Sequence, residues 1–147
     1  MAEHEYSVKL GEIIREFKLE VLCAGPDYEN VPLRTVDINR PGLPLTGFFE
    51  HFDTKRLLMI GLTESTYLSG MTPGQRRERF DKLLSYPVPA LIITRGLEPS
   101  TECLEMAQKH GRTVLRTQAQ TSAFMSALIG SLYNRLAPRI TRSGVMM

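Results

Sequence analysis

Three short apolar runs constrain this chain most: Leu57-Leu58-Met59-Ile60-Gly61, Ala90-Leu91-Ile92-Ile93-Thr94 and Thr113-Val114-Leu115-Arg116. The first two are continuous rather than alternating, the pattern of strands buried on both faces, and the third reads as a short strand. The segments between them carry helix signals. Thr63 to Leu68 is a short helix candidate. Thr72-Pro73-Gly74-Gln75 combines a cap, Pro at the first helical position and Gln at the third, which predicts a helix through Ser85 burying Phe80, Leu83 and Leu84. Pro99 to His110 reads as a helix closed by Gly111. Thr121 to Ala137 reads as a long amphipathic helix, with Phe124, Leu128, Ile129, Leu132 and Leu136 on one side and Pro138 as its stop. Strand and helix alternate three times, the signature of parallel right-handed crossovers. The expected fold class is α/β, a single three-layer-like domain with a short parallel sheet.

The first third of the chain is less regular. Ser7 is placed to cap a helix containing Val8, Leu10, Ile13, Ile14 and Phe17. Leu19 to Cys23 reads as a strand, and Gly25-Pro26-Asp27 as a turn. Val31 to Ile38 alternates as a second strand, with Pro32 arguing for an edge or a strand start. These two strands are expected at an edge of the sheet or in a small flanking sheet. A loop from Asp37 to Phe49 follows, rich in Pro and Gly, with one helical turn expected over Leu43 to Phe49. Its backbone is tightly specified. It is either a shaped loop positioning Asp37, Asn39 and Arg40 or a rigid structural turn, since turns use the same residues.

With 147 residues, 42% hydrophobic and 23% charged, the chain suits one well-buried domain. A net charge of +2 provides no global field for nucleic acid or membrane. Cys23 and Cys103 form no zinc or CxxC spacing, so buried free thiols are expected, with a disulfide left open. The start, Met1-Ala2-Glu3-His4-Glu5, has neither the basic region nor the apolar core of a signal peptide, and no apolar run reaches the length of a membrane span. A cytoplasmic protein is expected.

Ligands of open α/β sheets bind beyond the carboxyl ends of the strands. Thr94 and Arg95 stand at one such end, Arg116 and Thr117 at another, and the Pro/Gly loop adds Asp37, Asn39 and Arg40. Three arginines thus follow three expected strands. They either converge on an anion-binding rim, helped by helix N-termini, or pair with nearby acids, carbonyls or subunits. The other candidates are plainer. His110 suits a helix C-terminus, and His51 beside Glu50 and Asp53 lacks a nucleophile or third partner. Arg76, Arg77, Arg79 and Lys82, interleaved with Glu78 and Asp81, make a solvated helix face. No metal-ligand spacing, P-loop, nucleophile elbow or dinucleotide fingerprint occurs.

Several motifs in order resemble the N-terminal domain of HPr kinase/phosphorylase. They are Asp37-Ile38-Asn39-Arg40-Pro41-Gly42-Leu43, Thr46-Gly47-Phe48-Phe49, Phe52, Arg56, Gly61, Glu64, Tyr67-Leu68, Pro89-Ala90, Thr94-Arg95-Gly96-Leu97-Glu98-Pro99, Val114-Leu115-Arg116-Thr117 and Thr121-Ser122. Ser143 departs from that pattern, where the family has His. The resemblance implies a bacterial enzyme that phosphorylates a serine of the phosphocarrier HPr with ATP or pyrophosphate and Mg²⁺, and reverses this by phosphorolysis, in carbon catabolite repression. That chemistry belongs to a C-terminal P-loop domain, so no catalytic residue and no cofactor is assigned to this chain. The implied division is a disordered tail over 1–6, the N-terminal domain over 7–138, and the start of a connection toward a kinase domain over 139–147. The implied fold is that of the N-terminal domains of MurE/MurF-type uridine-diphosphate-muramoyl ligases, whose nucleotide loop Asp37, Arg40, Gly47 and Phe49 resemble, with Ile38-Asn39 in place of a single Ser. The implied role is regulation or assembly in a homohexamer, with HPr reached through the kinase domain; the three arginines add the expectation that a small anionic ligand is sensed here. The alternatives are a stand-alone oligomerisation module, a nucleotide- or phosphate-binding module, and an enzyme in its own right. Nucleic acid and membrane are not expected as partners.

Overall fold

The computed structural model describes residues 7–39 and 55–137. Their elements run β1 (Val8–Lys9), α1 (Leu10–Phe17), β2 (Glu20–Cys23), a 3₁₀ turn (Tyr28–Asn30), β3 (Pro32–Leu33), β4 (Ile38–Asn39), β5 (Leu57–Ile60), α2 (Leu62–Ser69), α3 (Pro73–Ser85), β6 (Leu91–Ile93), α4 (Thr101–His110), β7 (Val114–Arg116) and α5 (Thr121–Leu136). Five strands form one sheet in the order β2-β7-β6-β5-β4. Strands β4 to β7 are parallel, whereas β2 pairs antiparallel with β7. The sheet is therefore mixed rather than purely parallel. β1 and β3 pair antiparallel in a separate two-stranded sheet.

The continuous apolar runs work because each strand serves two cores. Leu58, Ile60, Leu91, Ile93 and Val114 face Leu68 of α2, Phe80, Leu83 and Leu84 of α3, and Cys103, Met106 and Ala107 of α4. Leu57, Met59, Ala90, Ile92 and Leu115 face Leu10 and Ile13 of α1 and Phe124, Leu128 and Leu132 of α5. The period of two thus sorts an unbroken apolar string onto opposite faces. Helices cover both faces of the sheet, giving three layers.

Two early expectations change. Ser7 does not cap α1: Val8 and Lys9 are drawn into β1 opposite Leu33 and Pro32, so the helix begins at Leu10. The expected strand from Val31 to Ile38 divides between two sheets, β3 with β1 and β4 with β5. Pro32 has no N–H for a continuing ladder, and Val31 instead accepts from Leu10 N at 2.8 Å. The expected turn at Leu43 to Phe49 lies outside the described residues. The later helices match their signals closely. Thr72 Oγ1 accepts from Gln75 N at 3.2 Å while Gln75 Oε1 accepts from Thr72 N at 2.9 Å, the reciprocal cap read in the sequence.

The basic face of α3 is not simply solvated, because it pairs with α4 through charges of both signs. Arg76 Nε donates to Glu102 Oε1 at 2.9 Å, Arg77 Nη2 to Glu105 Oε1 at 2.7 Å, and Asp81 Oδ1 takes His110 Nε2 at 2.7 Å and Lys109 Nζ at 3.1 Å. The Arg76 hydrogen bond holds the Glu102 carboxyl below its ordinary value of 4.5. His110, then Lys109, does the same for Asp81, ordinarily 3.8. A depressed carboxylate stabilises the fold above its unfolded-state value and loses that contribution as pH falls through the folded value. The melting temperature is therefore expected to hold from neutral pH down to about 5 and to decline below about 4.5. Glu102→Gln should lower it at pH 7 and match the parent at pH 3. A Glu102→Gln melting curve parallel to the parent's across this range would remove Glu102 from the account.

Candidate functional site

The parallel strands β5, β6 and β7 deliver their carboxyl ends to one edge. Thr94, at the end of β6, is fully buried there. Its N–H donates to Ile60 O at 3.0 Å, and its hydroxyl bonds Ile60 O at 3.3 Å and the Thr121 hydroxyl at 2.6 Å. Thr94 thereby ties the ends of two strands to the first turn of α5. Arg95 and Gly96 follow with φ of 62° and 63°. The left-handed region costs a non-glycine residue roughly 1–2 kcal/mol. Arg95 is held in it by hydrogen bonds from Arg95 N to Ala119 O and from Gly96 N to Thr117 O, both 2.8 Å. Thr117 Oγ1 in turn accepts from Ala119 N at 3.2 Å. A side chain on Gly96 would run into the Gln118 amide.

Thr94, Arg95 and Thr117 are thus brought together, on the β6–α4 and β7–α5 loops. The Arg95 side chain is exposed and has no ion-pair partner among the described residues. Beside it, the N-cap of α5, Gln120, makes no side-chain capping bond, and the first turn holds no acid. By contrast, Ser100 Oγ caps α4 by accepting from Cys103 N at 3.2 Å, and Glu64 Oε1 accepts from Gly61 N at 2.9 Å at the start of α2. An uncapped N-terminus concentrates orphan N–H groups and roughly half a positive charge.

The remaining sequence candidates go elsewhere. Arg116 is engaged on three sides. Nε and Nη2 grip Glu20 Oε1 and Oε2 at 3.0 and 3.1 Å, and Nη1 reaches Glu98 Oε1 at 3.1 Å and Leu97 O at 3.3 Å. These acids, Glu20 first, raise its pKa further. Arg116 buckles β2 to β7 and the β6–α4 loop, which is the ion-pair alternative. Asp37 precedes β4, and Ile38 pairs with Leu57 at the start of β5, so Asp37 stands at the amino edge, with Arg56 Nη2 3.6 Å from its Oδ2. Asn39 pairs with Leu58, short of the carboxyl edge. Arg40 lies outside the described residues. Thr121 and Gln118, also parts of the rim, carried no site signal in the sequence beyond a Thr opening a helix after a strand.

A groove of about 950 Å³ at the amino edge is lined by Arg34, Lys55, His110 and Arg112. Arg112 and His110 lie at helix C-termini, where positive charge is favourable. Arg112 donates from Nε to Tyr86 O at 2.7 Å and from Nη2 to Ser85 O at 3.1 Å, at the end of α3. Its partial burial lowers its pKa. His110 ends α4. Arg95, without an ion-pair partner among the described residues, and the uncapped start of α5 sit at the other edge. Among the described residues no group of three or more His, Cys, Asp or Glu is placed to hold a metal, and no helix is long and apolar enough to cross a membrane.

Comparison with known proteins identifies the chain. The chain resembles HPr kinase/phosphorylases from Caldicellulosiruptor bescii (44% identical over 94% of this chain), Alkaliphilus metalliredigens (44% over 96%) and Clostridium perfringens (39% over 95%). It spans 44–45% of the length of these relatives. A fold likeness extends to the crystal structure of the CBS and DRTGG domains of the regulatory region of Clostridium perfringens pyrophosphatase, complexed with the activator diadenosine tetraphosphate. That likeness has a TM-score of 0.55 at 21% identity, covering 82% of this chain and 45% of that one. The family model described as HPr serine kinase N terminus matches residues 8–132, and the chain belongs to that family.

Proposed function

We propose that this chain is a non-catalytic regulatory and assembly domain of a bacterial HPr serine kinase/phosphorylase, cytoplasmic and acting in carbon catabolite repression, which senses a small anionic metabolite at the carboxyl edge of its sheet. The single observation that carries the sensing role is Arg95. It is exposed without an ion-pair partner among the described residues, on a left-handed backbone pinned by Thr117 and Ala119, beside the uncapped start of α5. A strained residue whose surroundings hold it in place is a feature of ligand sites. An anion there would meet a cation carried on a pinned backbone and the N–H groups of an uncapped helix start together. The fold-related pyrophosphatase region is described as regulatory and as complexed with a polyphosphate activator, which is consistent with an anion as the ligand class. A uridine-nucleotide site built on Asp37 is less favoured, because Asp37 stands at the opposite edge.

In the full-length protein, phosphoryl transfer from ATP or pyrophosphate with Mg²⁺ would fall to the kinase domain, and HPr would be met there. This domain would contribute to a homohexamer and relay ligand occupancy. Calorimetric titration of the chain with inorganic phosphate, pyrophosphate and a sugar phosphate tests the sensing role. Arg95→Ala should weaken binding roughly 10- to 100-fold, the value of a charge-assisted hydrogen bond of about 1.5–3 kcal/mol. Unchanged affinity in Arg95→Ala, or no binding of any of the three, defeats it. Sedimentation of the same samples reads assembly, and a monomer at every concentration removes that part.

A further inference from the structure

We infer that a second cleft, on the α2–α4 side of the sheet, takes a small, neutral, mainly apolar ligand. The cleft has a volume of about 290 Å³, close to ten waters at ~30 Å³ each. Its floor is formed by Ile60 and Ile93 at the carboxyl ends of β5 and β6, and its walls by Phe80, Leu97, Ser65 and Ser100. The carboxyl end of parallel strands is where open α/β sheets hold ligands, and an apolar wall with a few polar groups is the usual construction. An apolar cavity of about 150 Å³ already takes one benzene ring, so this cleft has room for a substituted ring.

The charges that reach this cleft are already matched, and this selects the ligand class. Arg76 donates from Nε to Glu102 at 2.9 Å and from Nη1 to Met71 O and Leu68 O at 2.6 and 3.2 Å. Glu98 accepts from Arg116 Nη1 at 3.1 Å. A charged ligand would lose water without gaining a free counter-charge, or would have to break one of these bonds. Hydroxyls remain. Ser100 Oγ accepts from Cys103 N at 3.2 Å, which leaves its own proton to donate to a ligand oxygen. Cys103 also lines the cleft. Burial pushes its thiol up to about 12, so it presents a neutral, apolar sulfur rather than a nucleophile.

The inference stands apart from the anion reading, although both draw on the β6–α4 connection, with Arg95 at one end and Ser100 at the other. The test is an amide chemical-shift titration of the chain with p-cresol, with benzoate as the anionic counterpart. Saturable shifts are expected at Ser65, Leu97 and Ser100, with benzoate at least tenfold weaker. Ser69→Trp, at an exposed position on the cleft's edge, should weaken p-cresol at least tenfold at an unchanged melting temperature. Ser65→Leu serves the same purpose should Ser69→Trp melt early. Arg95→Ala should leave p-cresol binding intact, so the two readings fail separately. Absent or non-saturating shifts, equal binding of benzoate, or full p-cresol binding in the filled variants would each overturn the inference. So would a dimer that Ser69→Trp converts to monomer while p-cresol shifts nothing, because a second copy would then cover the cleft.

Discussion

Phe124→Ala is expected to lower the unfolding free energy by about 3–5 kcal/mol, the range for a large aromatic removed from a packed core. Phe124 is 3% exposed on α5, and its ring meets Phe17 of α1 edge-on, with centroids 5.3 Å apart and planes at 78°. The pair joins the two helices that cover one face of the sheet. Truncation would remove the transfer energy of the ring, leave a cavity among Leu128, Leu115 and Ile13 of the same cluster, and forfeit an edge-to-face contact worth roughly 0.5–1.5 kcal/mol. Urea denaturation should show a lower midpoint at an unchanged slope. Tyr133→Ala on the same helix is the control. Tyr133 is 62% exposed, so its loss should stay within about 0.5 kcal/mol. Equal losses from the two positions would mean that α5 is not packed through Phe124.

Gly25→Ala is expected to cost about 2–3 kcal/mol, toward the upper part of the range for overpacking a close-packed site. A methyl at Gly25 would lie well inside contact distance of the Gly111 carbonyl oxygen and would crowd the Thr113 hydroxyl at 3.0 Å. The obstacle is backbone, in the left-handed turn that ends α4, so no side chain can swing away. Thr113 Oγ1 also accepts from Gly25 N at 3.1 Å, across 88 residues of chain. Moving the strand end to relieve the clash would strain that bond. Gly130→Ala is the comparison, since nothing lies within 4 Å of a methyl there and α5 is helical. It should be neutral or stabilising by up to about 1 kcal/mol. A Gly25→Ala variant as stable as the parent would show that the two turns can separate freely.

These two positions mark how far the sequence could be read. Phe124 belongs to a stripe of helical period, so its burial was legible from spacing alone. Gly25 read only as a turn residue, because nothing local announces that a segment 88 residues away will pack against it. The candidate site divides in the same way. Thr94, Arg95 and Thr117 were legible because the carboxyl ends of parallel strands must share an edge. Arg116 had the same local signature, yet its fate depended on Glu20, which enters only because β2 lies antiparallel beside β7. Asp37 was displaced by register: the short β4 begins after it rather than before it.

By itself the sequence determined the alternation of strand and helix from Lys55 onward, the capping box of α3, the Gly111 end of α4, the apolar stripes of α3 and α5 and the family. Each of these rests on a local rule, such as side-chain period, capping chemistry or an ordered set of motifs. Only the tertiary structure decided that the sheet is mixed, that the Val31 to Ile38 segment serves two sheets, and that Arg116 is spent on acids while Arg95 has no ion-pair partner among the described residues. Pairing and charge matching are made between residues far apart in the chain. A single guanidinium carries the same charge in either role, and its neighbours in space settle whether that charge holds the fold together or remains for a ligand.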